Sequence, residues 1–294
     1  MPIALESLNT INAVEFTAVL GASYEHAPWV AELAAARRPF ASLAALHAAM
    51  AGAVRDAGAE RQLALIKAHP DLAGKAARAG HLTAESTAEQ GSAGLDRLTE
   101  AEYAAFHRLN DAYRGKFGIP FIVCVRRHTL GSILRQFERR LGNDAATERI
   151  AALEEIFRIA ALRLDAQVAA PDRLPVHGRL STHVLDTHAG CPAAGVDVAL
   201  LELDAGGAAR PVARATTNAD GRTGEPLIAG RPIPIGTYEL RFAVGDYFAG
   251  RDVPRADPAF LDIVPVRFSV AEPEGRYHVP LLVSPWSTTT YRGS

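Results

Sequence analysis

Residue usage changes sharply near residue 170, and that break constrains the fold more than any motif. Residues 1–170 hold 40 alanines and 5 prolines, whereas 171–294 hold 13 prolines. Alanine favours helix, and proline interrupts it by removing a backbone donor. The first part is therefore expected to be an all-α helical bundle, and the second an all-β sandwich of strands and turns. The change falls in QVAAPDRLPVHG, a proline-bearing polar stretch without period that reads as a linker. At 294 residues, two domains are the natural expectation. Their bounds are placed at 1–168 and 176–294, with 169–175 between them.

Charge and cysteine narrow the function classes. The basic and acidic residues divide 19 to 19 before the linker and 12 to 14 after it, so neither part looks like a nucleic-acid binder. The two cysteines, Cys124 and Cys191, lie far apart without metal spacing. They point to a reducing compartment. No apolar run is long enough to span a membrane, and the N-terminus carries no basic-then-apolar leader. A cytoplasmic protein without membrane partners is expected.

Helical periodicity recurs through the first part. In NTINAVEFTAVLG, Asn9 or Thr10 can cap, and Ile11, Val14, Phe16, Val19 and Leu20 form an apolar face. SLAALHAAMAGAVRDA repeats the pattern from Ser42. TEAEYAAFHRLNDAYRGKFG opens with a Thr99–Glu102 capping box and is expected to break at Gly115. ATERIAALEEIFRIAALRLDAQV supplies a long last helix.

Three stretches do not fit a plain bundle. In KAHPDLAGK, Pro70 pushes His69 out of the helical region and leaves it at a helix–loop junction, from which a new helix can start at Asp71. A bland helix-end histidine is the alternative. In STAEQGSAGLD, Ser86 and Glu89 have capping-box spacing, yet the glycines that follow also permit backbone to approach a ligand. In YRGKFGIPFIVCVRR, Gly118 and Pro120 break the helix before a strand-like run. That run is either a buried connector or an irregular segment facing a ligand.

In their order and spacing, AHPDLAGK, SxxEQxSAGLD, KFGIPFIVC and the late ALRL helix resemble the decarboxylases of 2-oxo-4-hydroxy-4-carboxy-5-ureidoimidazoline (OHCU), over about residues 1–168. The resemblance implies His69 as general acid/base and Glu89 as its catalytic companion. It implies substrate contacts from Pro70, from Ser86, Thr87, Ala88 and Gln90, from Phe121, Ile122, Val123, Cys124 and Val125, and from Arg163. No cofactor is implied. A carboxylate beside an unsaturated ring carbon can leave its electrons in the ring, so the site has only to orient, stabilise charge and protonate one face.

In the second part, RLSTHVLD, VDVALLEL, TYELRFAV, IVPVRFSV and YHVPLLVS read as strands. Tyr238, Leu240, Phe242 and Val244 share one face, as do Val264, Val266, Phe268 and Val270. Pro265 suits an edge strand, and TTNADGRTG a turn. His278 faces away from Tyr277 and Val279. His183 and His188 could suggest a metal pair, but neither a helical HExxH nor a cysteine partner accompanies them, so no metal is expected. No GxSxG elbow is present.

LSTHVLDTHAGCPAAGV, TNADGR, GTYELRF and the terminal YRGS resemble the 5-hydroxyisourate hydrolases, relatives of transthyretin, over about residues 175–294. The resemblance implies catalysis by His183, Arg222 and His278, a pocket completed by Tyr291, Arg292 and Ser294, and a dimer of dimers with sites in the channel between dimers. Together the two resemblances imply a bifunctional enzyme of urate breakdown acting on 5-hydroxyisourate and OHCU. The alternatives are one active module, or a transthyretin-like carrier fused to a helical scaffold.

Overall fold

The computed structural model describes residues 2–73, 83–254 and 256–293. Ser294 of the expected hydrolase pocket, and Gly74 and Lys75 of the KAHPDLAGK motif, lie outside the described residues. The chain divides into two compact units, Met1–Arg126 with Ser132–Val176, and Arg127–Gly131 with His177–Ser294.

The first unit contains helices α1 (Leu5–Thr10), α2 (Ala13–Leu20), α3 (Trp29–Ala35), α4 (Leu43–Asp56), α5 (Gly58–Lys67), α6 (Ala84–Ser92), α7 (Glu100–Phe117), α8 (Leu130–Arg140, which starts in the other unit's short segment) and α9 (Ala145–Gln167). A two-residue parallel ladder joins β1 (Ile3–Ala4) to β2 (Val168–Ala169).

Local chemistry sets the helix ends. The cap of α2 is Asn12, whose side chain accepts from Glu15 N, and not Asn9 or Thr10. Asn9 instead bonds both backbone groups of Phe40. The apolar face of α2 is narrower than its sequence suggests. Phe16 and Leu20, one turn apart, are buried, while Val14 is 79% exposed. Ser42 caps α4, and Thr99 with Glu102 forms a reciprocal capping box on α7. That helix runs through Gly115 and ends at Gly118, whose φ of 67° is the left-handed cap that suits glycine. A lone helical glycine costs only about 1 kcal/mol, so Gly115 does not stop the helix. Pro120 follows, and Phe121–Cys124 runs buried and irregular before a single 3-10 turn, Val125–Arg127.

A buried polar network pins that irregular run. Arg140 donates to Ile122 O at 2.6 Å and pairs with Glu148, which also takes hydrogen bonds from Tyr113 and Asn143. Cys124 N donates to Glu155 at 2.8 Å. With these partners the segment needs no sheet to satisfy its backbone.

The second unit is a two-sheet sandwich. Its strands are β3 (Gly178–Asp186), β4 (Cys191–Pro192), β5 (Asp197–Leu203), β6 (Ala209–Thr216), β7 (Ile228–Arg231), β8 (Gly236–Ala243), β9 (Ile263–Val270), β10 (Arg276–Ser284) and β11 (Ser287–Thr290). One sheet runs β11-β10-β3-β4 with β7 also on β3, and the other β6-β5-β8-β9. The pair β10–β3 is parallel, and the other pairs of this unit are antiparallel. Leu180, Val184, Leu200, Leu240, Phe242, Val279 and Leu281 fill the space between the sheets. Pro265 sits on β9, an edge strand as expected. Val244, read from its alternation as strand, instead opens a short helix, α10 (Val244–Ala249). The N–H groups of Val244 and Gly245 both donate to Asp262 O at 2.9 Å, which turns the chain out of the ladder.

Candidate active sites

In the helical unit, α5 ends at Lys67 and His69 occupies the turn before Pro70. Asp71 does not begin a helix. His69 is 7% exposed, and its Nδ1 lies 3.0 Å from Leu65 O. A carbonyl only accepts, so Nδ1 carries the proton and Nε2 is left to exchange one. Burial depresses this histidine to about 4, against the opposing effects of the Leu65 hydrogen bond and the Glu25 charge, so it is neutral at pH 7.

Facing it is Arg163, from the buried side of α9. Its Nε and Nη2 form a bidentate pair with Glu89 Oε1 and Oε2 at 2.8 and 2.9 Å. Glu89 and Gln90 lie on α6. The cap of α6 is Thr83, whose hydroxyl accepts from Ser86 N, so Ser86 lies inside the helix and the Ser86–Glu89 spacing is not a capping box. Gln90 Oε1 accepts from Ala73 N at 3.1 Å. His69, Pro70, Ser86, Glu89, Gln90, Phe121, Ile122, Val123, Val125 and Arg163 enclose a small cavity, together with Leu72 and Ile159. Its volume is about 30 Å³, room for about one water. The result is a neutral imidazole, a guanidinium and a carboxylate on a wall where only Ser86 and Gln90 add further polar side chains.

In the β unit, Ser181 and His183 alternate with the core residues Leu180, Thr182 and Val184, and so share the outer face of β3. The parallel register sets His278 opposite Ser181. His278 Nδ1 lies 3.0 Å from Ser181 Oγ. Arg222 is brought alongside by a turn in which Asn218 Oδ1 accepts from Asp220 N and Arg222 N, and by a β-bridge from Arg222 to His183. At the centre of that turn, Gly221 has a φ of 71°, and a Cβ there would lie 2.3 Å from Val184 O. Burial, then the Arg222 charge, lowers both histidines below their ordinary value. His183 Nε2 is buried without a hydrogen-bond partner among the described residues. An unpaired ring nitrogen beside a fixed cation suits activation of water and stabilisation of an oxyanion.

The chain's tail is tied to β10. Thr290 Oγ1 donates to Pro280 O at 2.8 Å, Gly293 N donates to His278 O at 2.8 Å, and the Arg292 guanidinium sits 5.0 Å from the Tyr277 ring centre. Tyr291 is 57% exposed. His188 packs edge-on against Trp286. Among the described residues, no cluster of three or more His, Cys, Asp or Glu could hold a metal, and no helix is long and apolar enough to cross a membrane.

Over residues 9–165 the sequence matches the OHCU decarboxylase family, and over 180–293 the HIUase/transthyretin family. The chain belongs to both families. It is 43% identical over 163 residues to the 2-oxo-4-hydroxy-4-carboxy-5-ureidoimidazoline decarboxylase of Halalkalicoccus jeotgali, a match covering 55% of this chain and 90% of that one. It is 55% identical over 118 residues to the 5-hydroxyisourate hydrolase of Deinococcus radiodurans, covering 40% of this chain and 98% of that one. A solved structure of an (S)-allantoin synthase superposes with a TM-score of 0.51 at 36% identity, covering 99% of this chain and all of that one.

Of the residues expected to hold OHCU, Thr87, Ala88 and Cys124 are not on the cavity wall. Thr87 and Ala88 are exposed, and the Thr87 hydroxyl bonds back to Thr83 O. Three residues of the decarboxylase half were not anticipated: Leu72, Ile159 and Glu25, which bonds Arg163 from behind. Ile159 lies one turn before Arg163, so the period of α9 could have found it. Glu25, in SYEHAPWV, has no such signal. In the hydrolase half, Ser181 was equally unmarked, although its place two residues before His183 puts it on the same face.

Proposed function

We propose that the chain converts 5-hydroxyisourate to (S)-allantoin in two steps, ring opening by the β unit followed by decarboxylation in the helical unit. The observation that carries this reading is that each half gathers the groups its own reaction needs. A neutral histidine stands beside an arginine–carboxylate pair in one, and two depressed histidines stand beside an arginine in the other.

For ring opening, an unprotonated histidine takes a proton from water as it attacks a ring carbonyl. Arg222 balances the oxyanion, and collapse releases the ring nitrogen, which takes up the proton. Arg222 and Tyr291 lie on the exposed side of this face, which suits completion by a second copy in a dimer of dimers.

For decarboxylation, Arg163 receives the substrate carboxylate. The carbon–carboxylate bond breaks, CO2 leaves, and its electron pair passes into the neighbouring C=N unit, whose nitrogen takes up a proton. The resulting enol loses its hydroxyl proton and gains one at the ureido-bearing carbon. His69, unprotonated at Nε2, takes the hydroxyl proton and delivers it to one face of that carbon, which makes the product a single enantiomer.

The test generates 5-hydroxyisourate from urate and urate oxidase and follows absorbance and optical activity together. His278→Ala is expected to slow the first step at least a hundredfold and leave the second intact, and His69→Ala the reverse. Full activity of both variants in both steps would refute the assignment.

A further inference from the structure

Glu25, which follows the short turn after α2, is 3% exposed and lies outside the groups given a chemical role above. Its hydrogen bonds converge on the helical unit's candidate site. Its Oε2 accepts from Arg163 Nη1 at 3.2 Å and Nη2 at 3.3 Å. Its Oε1 accepts from Thr83 Oγ1 at 2.8 Å and Ser86 Oγ at 3.2 Å. Arg163 Nη1 also donates to Ala22 O at 3.1 Å. With the two bonds to Glu89, all five guanidinium N–H groups are engaged.

The two carboxylates on Arg163 are not equivalent. The Glu25 side chain is 2% exposed and the Glu89 side chain 17%. Glu89 lines the cavity, and Glu25 does not. The Nε–Nη2 edge of Arg163 is thus the one a ligand can reach. Glu89 occupies it with the planar, two-oxygen geometry that a substrate carboxylate would also present. A cavity of about 30 Å³ cannot take in a ureidoimidazoline while that edge stays closed by Glu89.

We infer that Glu25 is a positioning residue for decarboxylation: it clamps the sealed edge of Arg163, so that the open edge can pass from Glu89 to the substrate carboxylate without the guanidinium moving. The inference rests on the decarboxylase reading of the helical unit. Through Thr83 and Ser86, Glu25 also fixes the start of α6, the helix that carries Glu89 and Gln90. The exchange releases Glu89 beside His69 as the substrate arrives. Glu25 stays ionised for this role. Burial works to raise it, but the Thr83 hydrogen bond and the Arg163 charge hold it below the usual carboxylate range.

The charged and titratable groups facing His69 are Glu25, which favours its protonation, and Arg163 and His26, which oppose it, with Glu89 on the same cavity wall. Neutralising Glu25 therefore lowers the pKa of His69.

The test uses the full-length protein and OHCU formed in situ by urate oxidase with an excess of a separate 5-hydroxyisourate hydrolase. Glu25→Gln is expected to raise KM roughly ten- to a hundredfold, with a smaller fall in kcat, and to move the acid limb of the pH profile to lower pH. Glu25→Asp keeps the charge but shortens the reach, so its KM falls between the two and its acid limb stays in place. A folded Glu25→Gln protein with unchanged KM and pH profile would overturn the inference. So would a loss confined to kcat, which is what a purely structural role produces. If Glu25→Gln does not fold, Glu25→Asp decides, since an unchanged KM in that variant overturns the clamp and a raised KM at unchanged Tm supports it. Failure of the wild-type protein to accelerate OHCU decay would instead refute the decarboxylase reading itself.

Discussion

At the scale of single residues, both candidate sites hold their histidines below the ordinary imidazole value. Burial is the main cause each time, but the settings differ. His69 is sealed in an apolar turn and depressed to about 4, whereas His183 and His278 are half-buried and also feel Arg222. The deeper case has a consequence for stability. The unfolded chain protonates this histidine near 6.5, and the folded one only near 4. Between those values the unfolded state binds the extra proton, so folding weakens as pH falls through that window and is unaffected above it. The effect is of the order of 3 kcal/mol at its full extent. Denaturant unfolding, followed by the helical circular dichroism signal at pH 7 and pH 4.5, should show His69→Gln losing less stability than wild type. Equal losses would mean that His69 is not held neutral by burial. The motif legible in sequence marked His69, but only its surroundings give it this value.

At the scale of elements, positions that look like defects in a pattern are the ones that build the sites. The proline after His69 ends α5 where the imidazole is needed. Phe121–Cys124 has the composition of a strand but lies irregular, because Arg140 and Glu155 satisfy its backbone in place of a neighbouring strand. In the β unit, two glycines let elements approach the histidines more closely than any side chain would allow. A Cβ on Gly293 would sit 2.7 Å from Cδ2 of His278, and one on Gly221 2.3 Å from Val184 O. Gly293→Ala is therefore expected to push the His278 ring aside and cut ring opening at least tenfold, with decarboxylation and Tm unchanged. Steady-state assays of both steps on one preparation check this, and an unaltered first step would show that the tail does not set the imidazole. Capping spacing was a poorer guide. It was right at Thr99–Glu102 and misleading at Ser86–Glu89, where the hydroxyl one turn earlier, on Thr83, takes the cap.

At the scale of the whole molecule, the chain carries two reactions whose substrates and products connect, and the candidate residues for each lie in separate units. Deleting Tyr291–Ser294 is accordingly expected to abolish ring opening while leaving OHCU decarboxylation at the wild-type rate, measured by supplying each substrate in turn. A truncated chain that still opened 5-hydroxyisourate would remove the tail from the site. The sequence by itself determined the division into a helical and a β part, because alanine and proline act on the backbone locally. It also determined the faces of the strands, because alternation is a property of one strand. Its ordered motifs marked His69, Glu89, His183, Arg222 and His278. The tertiary structure alone decided that Glu25 closes on Arg163 across 138 positions of sequence and that Ser181 meets His278 across 97. It alone closed the cavity around His69. Those pairings arise from helix packing and strand register, which join residues with no periodic or local relation along the chain.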